Sequence, residues 1–110
     1  IILPLAPDVS NRPMQMVSRE YGLYAETYYK VVNEKEGKAL IDVYPQTGRT
    51  HQIRVHLSCK EGADAPIVGD RLYGSKSIVC RLMLHAEKIT FEHPSTKKEM
   101  TFEDKAPFGL

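Results

Sequence analysis

The sequence predicts an α+β domain: largely antiparallel strands with one helix packed on a sheet face. Three observations carry this expectation. Residues 24–44 alternate with period two on either side of a glycine turn. Residues 88–103 repeat that pattern around a His-Pro turn. Between them lies Thr47–Leu57, where two arginines, two histidines, a glutamine and two threonines interleave with Ile53, Val55 and Leu57. Such a segment buries one side and offers polar groups on the other.

Taken in order, Ile1–Leu5 is an aliphatic run broken by Pro4, and Pro7, Asp8, Ser10, Asn11 and Pro13 follow. This predicts an edge strand at best, then a loop. Met14–Gly22 shows no sustained period and reads as irregular. From Tyr24, residues Ala25, Thr27, Tyr29 and Val31 share one face, while Tyr24, Glu26, Tyr28 and Lys30 share the other. Asn33–Gly37 is a charged turn of about five residues, and Lys38–Tyr44 is the return strand of an antiparallel hairpin. Pro45 stops it, because proline has no N–H for the ladder.

Thr47–Leu57 is ambiguous by pattern. Ile53, Val55 and Leu57 alternate with Gln52, Arg54 and His56, as in a strand. The same residues fit a helix with Thr50 as N-cap and Gly62 just past its end, Ile53 and Leu57 sharing a buried stripe. Gly62–Pro66 reads as loop, and Ile67–Asp70 as a short apolar run ending in a Gly-Asp turn. Ile78–Leu84 reads as a short strand or buried turn, and Lys88–Glu92 and Lys98–Glu103 as a second hairpin. No internal repeat or linker divides the chain.

With 110 residues, the chain suits one small domain with a modest core. An apolar fraction of 42% and a charged fraction of 26% are ordinary for a soluble protein. No apolar run approaches the ~20 residues of a membrane span, and Ile1–Leu5 is too short for a signal peptide. The start at Ile1 fits a fragment or a processed chain. Cys59 and Cys80 form no CxxC pair and read as free thiols in a reducing compartment, so a cytoplasmic protein is expected. The net charge of +1 leaves partners undecided, since a nucleic-acid binder needs only a basic face.

Four groups of residues bear on chemistry. His51, His56, His85 and His93 match no metal-site spacing: His51 and His56 are five apart with no HExxH between them. Hydrogen bonding to backbone, carboxylate or phosphate is the plainer expectation. No serine sits in a GxSxG elbow, and Cys59 three residues from His56 is a common coincidence. Among the carboxylates, Asp42, Asp64 and Asp104 have no distinctive context, and Asp70 after Gly69 reads as a turn cap. Arg49, Arg54, Arg71, Lys76 and Arg81, with Tyr73, offer phosphate forks and a ring on which a base stacks.

Thr47-Gly48-Arg49-Thr50-His51-Gln52-Ile53-Arg54-Val55-His56 resembles a signature of the RluA-type pseudouridine synthases. Pro66–Asp70 with Tyr73-Gly74 resembles that family's next block, and Arg81–Ala86 its third. Phe91–Pro94 and Ala106–Phe108 follow in order, and Leu3–Leu5, Ala25–Thr27 and Tyr29–Val32 match upstream. The likeness spans nearly the whole chain. The loop Ser58–Pro66 reads as longer than in bacterial members.

The resemblance implies a mixed, largely antiparallel sheet with packed helices, and a helix over residues 50–60. It implies isomerisation of uridine to pseudouridine in structured RNA, rRNA or tRNA, with neither cofactor nor metal. The family's nucleophile is an aspartate in a His-Arg-Leu-Asp motif upstream of the segment matching Ile1–Leu5. Residues 1–110 therefore correspond to the C-terminal portion of the catalytic domain. The N-terminal half is then an expected partner, the chain alone is expected to be inactive, and a split sheet would leave an edge open to self-association. By the same resemblance Arg54 pairs with that aspartate, and Leu84 lines the uracil pocket. Arg81 contacts the pocket or RNA backbone, Arg49, His51 and Gln52 orient the site or touch phosphate, and His56 and His85 are structural. The alternative is a non-catalytic RNA-binding module that kept this fold.

Overall fold

In the computed structural model, which describes residues 1–75 and 81–110, the chain opens as a backbone ribbon between two neighbours. Strand β1 (Leu5–Pro7) pairs antiparallel with β2 (Gln15–Val17), Leu5 opposite Val17. On its other side Leu5 exchanges hydrogen bonds with Leu23, its N–H at 3.0 Å and its carbonyl at 2.8 Å. Further up, the N–H groups of Leu3 and Thr27 donate to Ala25 and Ile1. Residues 14–22, expected to be irregular, thus contain a strand. Three residues are too few to show a period, and the pairing is made by distant chain.

Strands β3 (Thr27–Lys35) and β4 (Lys38–Pro45) form the first hairpin. The expected five-residue loop is a two-residue turn. Glu36 and Gly37 carry φ of 54° and 76°, the positive values a tight primed turn needs. Asn33, Glu34 and Lys35 continue the ladder instead of leaving it. The register slips between Val31 and Asn33, so Val32 is an extra residue that breaks the alternation read from the sequence. Pro45 is the last paired residue, opposite Thr27.

Helix α1 (Gln52–Ser58) resolves the ambiguous stretch, two residues shorter at each end than the range 50–60. Thr50 is not its cap. His51 holds that position in a left-handed conformation, φ 54° and ψ 20°, with no side-chain capping bond. The buried residues are Gln52, Val55, His56 and Leu57, and Ile53 is only half-buried. Two of the four buried positions are polar, which is why a hydrophobic period could not settle the conformation.

Strands β5 (Lys88–Glu92) and β6 (Glu99–Glu103) form the second hairpin in full register, Lys88 opposite Glu103. The expected strand or turn at residues 78–84 falls partly outside the described residues; 81–84 form no strand. The three strand pairs, all antiparallel, and the helix make an α+β arrangement. Helix α1 contacts β2 and β3. Its Val55 joins Leu5 and Ala25 in the core, with Val17 and Tyr73 packed around them. The two hairpins are mostly exposed on both faces, and the radius of gyration of 15.3 Å exceeds the ~13 Å of a compact chain of this length.

After the helix the chain folds back tightly. The N–H groups of Gly62 and Asp64 donate to Cys59, and Ala63 donates to His56. A Cβ on Gly62 would collide with the His56 carbonyl oxygen, whereas one on Gly109 meets open space. Gly62→Ala should therefore cost about 1–3 kcal/mol of stability, and Gly109→Ala less than about 0.5 kcal/mol. Chemical denaturation of the two variants beside the parent measures both.

Candidate active site

Thr27, the first residue of β3, is where helix and sheet are joined. Its side chain is fully buried, as is that of His56. The His56 Nε2 lies 2.9 Å from the Leu3 carbonyl, which only accepts, so Nε2 carries the proton. Its Nδ1, 2.8 Å from the Thr27 hydroxyl, then accepts. The same hydroxyl accepts from Gln52 Nε2 at 2.9 Å. Gln52 also donates to the Glu26 carbonyl, and its Oε1 accepts from the Thr47 hydroxyl at 2.6 Å and the Arg49 N–H at 3.0 Å. Thr47 in turn accepts from the Glu26 N–H. The Gln52 amide is thus satisfied on every side, and this fastens the 47–49 loop to the helix start.

Two residues along the helix, Arg54 grips Asp70 with two parallel bonds. Its Nε donates to Oδ2 at 3.0 Å and its Nη2 to Oδ1 at 2.8 Å. The Asp70 side chain is wholly buried and that of Arg54 is 18% exposed. The Arg54 guanidinium sits over the Tyr73 ring, 5.2 Å from its centroid. The Tyr73 hydroxyl accepts from the Gln15 N–H and shares a hydrogen bond of 2.6 Å with His51 Nδ1. This contact holds the capping imidazole edge-on to the ring.

These placements correct one expectation. Asp70 does not cap a turn with its carboxylate; its backbone makes the turn and its side chain binds Arg54. The Tyr73 ring carries the Arg54 guanidinium over one face. A conspicuous arginine and an Asp-x-x-Tyr segment were both legible; their meeting across sixteen residues was not.

Thr47, Gly48, Arg49, His51, Gln52, Ile53 and Arg54, with Pro45 and Leu84, line an open concavity of about 330 Å³. Leu84 comes from a remote segment, yet it reaches the wall formed by the helix start. Arg49 is anchored by its Nε to the Tyr24 carbonyl at 2.8 Å and is exposed. Arg81 is not part of this lining. It donates to the carbonyls of Leu82 and Leu84, and its guanidinium lies 5.3 Å from the Phe108 ring centroid. Arg71 is exposed on the turn after Asp70. Lys76 and Cys80 lie outside the described residues.

The other histidines serve the fold. His85 donates to the Asp104 carbonyl, and His93 accepts from the N–H groups of Ser95 and Thr96. The Cys59 thiol points at the His56 carbonyl rather than the ring, and burial pushes its pKa up, which disfavours a thiolate. Among the described residues no group of histidine, cysteine, aspartate and glutamate is placed to hold a metal. No helix among them is long and apolar enough to cross a membrane.

Comparison with known proteins places this geometry in context. Residues 3–59 match a family described as RNA pseudouridylate synthase. Across 96% of its length the chain is 43% identical to the dual-specificity RNA pseudouridine synthase RluA of Escherichia coli K12, and 44% identical to that of Salmonella typhimurium. It is 38% identical over 98% of its length to that of Yersinia pestis. The chain covers 49% of the first of these relatives and 53% of the last, about half their length.

Burial holds His56 below the ordinary imidazole value, opposed by its bond to Leu3. Burial and then the Arg54 charge hold His51 down, and Asp70 acts the other way. Both rings are thus favoured neutral in the folded state. The unfolded chain binds more protons as pH falls through ~6.5. Stability present above that value should be lost progressively below it, as pH drops toward the depressed folded values. The thermal midpoint should fall between roughly pH 7.5 and 5; a flat profile would contradict the neutral assignment. Thr27→Val strips His56 of its donor and Gln52 of an acceptor, and should cost about 1–3 kcal/mol at neutral pH.

Proposed function

Because this chain belongs to the RluA-type RNA pseudouridine synthases, a family of isomerases, we propose that it forms the C-terminal portion of an enzyme converting uridine to pseudouridine in structured rRNA or tRNA. The reaction breaks the bond from C1′ of ribose to N1 of uracil and makes one from C1′ to C5. The C5 proton leaves and N1 gains one, so atoms balance without a redox partner.

One observation carries the reading: a rigid, partly exposed guanidinium stands in the wall of a concavity that also holds an apolar side chain and an anchored second arginine. Arg54 pairs with the nucleophilic aspartate contributed by the N-terminal half of the fold. A guanidinium fork keeps a carboxylate ionised and oriented where water is scarce. Leu84 forms an apolar wall for the flipped uracil. Arg49 binds a backbone phosphate with the guanidinium nitrogens beyond its Nε. His51, with Nδ1 occupied by Tyr73, has only its Nε2 left to meet RNA; as the Nε2–H tautomer it donates to a phosphate or a uracil carbonyl. Gln52 orients the loop rather than touching RNA, since its amide is fully engaged. Arg81 shapes the segment bearing Leu84 and leaves its outer nitrogen for RNA backbone. The exposed hairpins give the N-terminal half edges to pair with. We place the reaction in the cytoplasm, in keeping with the free thiol of Cys59.

Release of tritium from RNA labelled at C5 of uridine tests this. The enzyme comprising this chain and the preceding half should release tritium and form pseudouridine; residues 1–110 alone should not. Arg54→Lys keeps the charge and loses the fork, and should slow turnover by about 100-fold, as a misplaced catalytic group does. Lys98→Ala, on an exposed turn, should leave turnover unchanged. Turnover by Arg54→Lys equal to the parent's would refute the assigned pairing.

A further inference from the structure

A guanidinium has two hydrogen-bonding edges. In Arg54 the Nε–Nη2 edge is taken by Asp70. The other, Nη1 with the second Nη2 hydrogen, is the only one left to meet a second carboxylate. The Asp70 carboxylate is fully buried, and among the described residues Arg54 is the cation it faces; a buried charge persists only when paired. The turn that bears it is itself tied down. The Asp70 N–H donates to Ile67, the Asp70 carbonyl accepts from the Ser75 N–H, and the Gly69 N–H donates to the Ser75 hydroxyl. Two residues before Asp70, the Val68 carbonyl accepts from the Met83 N–H at 2.9 Å, next to Leu84. One turn therefore holds both the arginine and the segment bearing the apolar wall.

We propose that Asp70 is a positioning residue of this active site: it fixes the plane of Arg54, reserves the Nη1–Nη2 edge for the nucleophilic carboxylate, and tempers the positive charge that carboxylate meets. The inference rests on the reading of Arg54 above. Tyr73 completes the clamp, its ring under the guanidinium and its hydroxyl held by Gln15 and His51. The ionisable groups facing this pair are His51 at the helix start, Tyr73 on the turn and, farther off, Asp8 on the β1–β2 loop. Neither His51 nor Asp8 replaces the buried anion at the Nε edge.

The test uses the enzyme comprising this chain and the preceding half, with single-turnover pseudouridine formation measured from about pH 5 to 9, alongside RNA affinity and thermal unfolding. Asp70→Asn should slow the chemical step roughly 10- to 100-fold and leave RNA affinity within about threefold. Its acid limb should move to lower pH, because an untempered Arg54 stabilises the nucleophile's anion more strongly. Asp70→Glu keeps the charge but displaces it by one methylene; its limb should stay in place while the rate falls at least about fivefold. That variant decides the matter alone if Asp70→Asn does not fold. A parental rate in Asp70→Glu, or a parental rate and limb in folded Asp70→Asn, overturns the proposal. If Arg54→Ala is inactive while the Asp70 variants behave as the parent, only the role of Asp70 falls. If Arg54→Ala is itself fully active, the underlying reading of Arg54 falls.

Discussion

The hydroxyl of Thr27 joins three parts of this molecule. It accepts from Gln52 and donates to His56, so β3 and two turns of α1 are pinned at one buried atom. Through His56 the bond continues to Leu3, and through Gln52 to Glu26, Thr47 and Arg49. A seven-residue helix is too short to be stable alone. It persists because its buried face carries these bonds beside Val55. A buried polar seam is costly when incomplete and directional when complete. This one has a partner for each atom, and it sets the rotation of the helix about its axis.

That rotation decides what the helix offers. With Gln52, Val55 and His56 turned inward, Arg54 is left at the rim, against Asp70 and the Tyr73 ring. His51, in its left-handed conformation, is placed against the Tyr73 hydroxyl. A non-glycine residue there costs on the order of 1 kcal/mol, and the surrounding bonds must hold it. The same hydrogen-bond chain thus supports both the fold and the charged wall of the concavity.

Much of this was legible in residue order. Both hairpins were readable because alternation and turn residues are local. The polar wall of the concavity was readable because Arg49, His51, Gln52 and Arg54 crowd one stretch. The helix was not: its inward face is half polar, so strand and helix patterns competed. Strand β2 was not, because three residues show no period. Val32 was not, because a bulge is a property of two paired strands. Asp70 was misread as a turn cap because its local setting, Gly-Asp, is a turn setting, and only its distant neighbour shows what the carboxylate binds.

By itself the sequence determined the α+β class, the two hairpins, the family and the cluster of polar residues that builds the concavity. Each follows from local pattern or from an ordered set of motifs. The tertiary structure decided which way the helix faces, that Leu84 reaches its start, and that Arg54 spends one edge on a buried aspartate sixteen residues away. Those depend on groups brought together by folding. A guanidinium fork and a carboxylate look the same in any sequence until geometry shows which edge is taken.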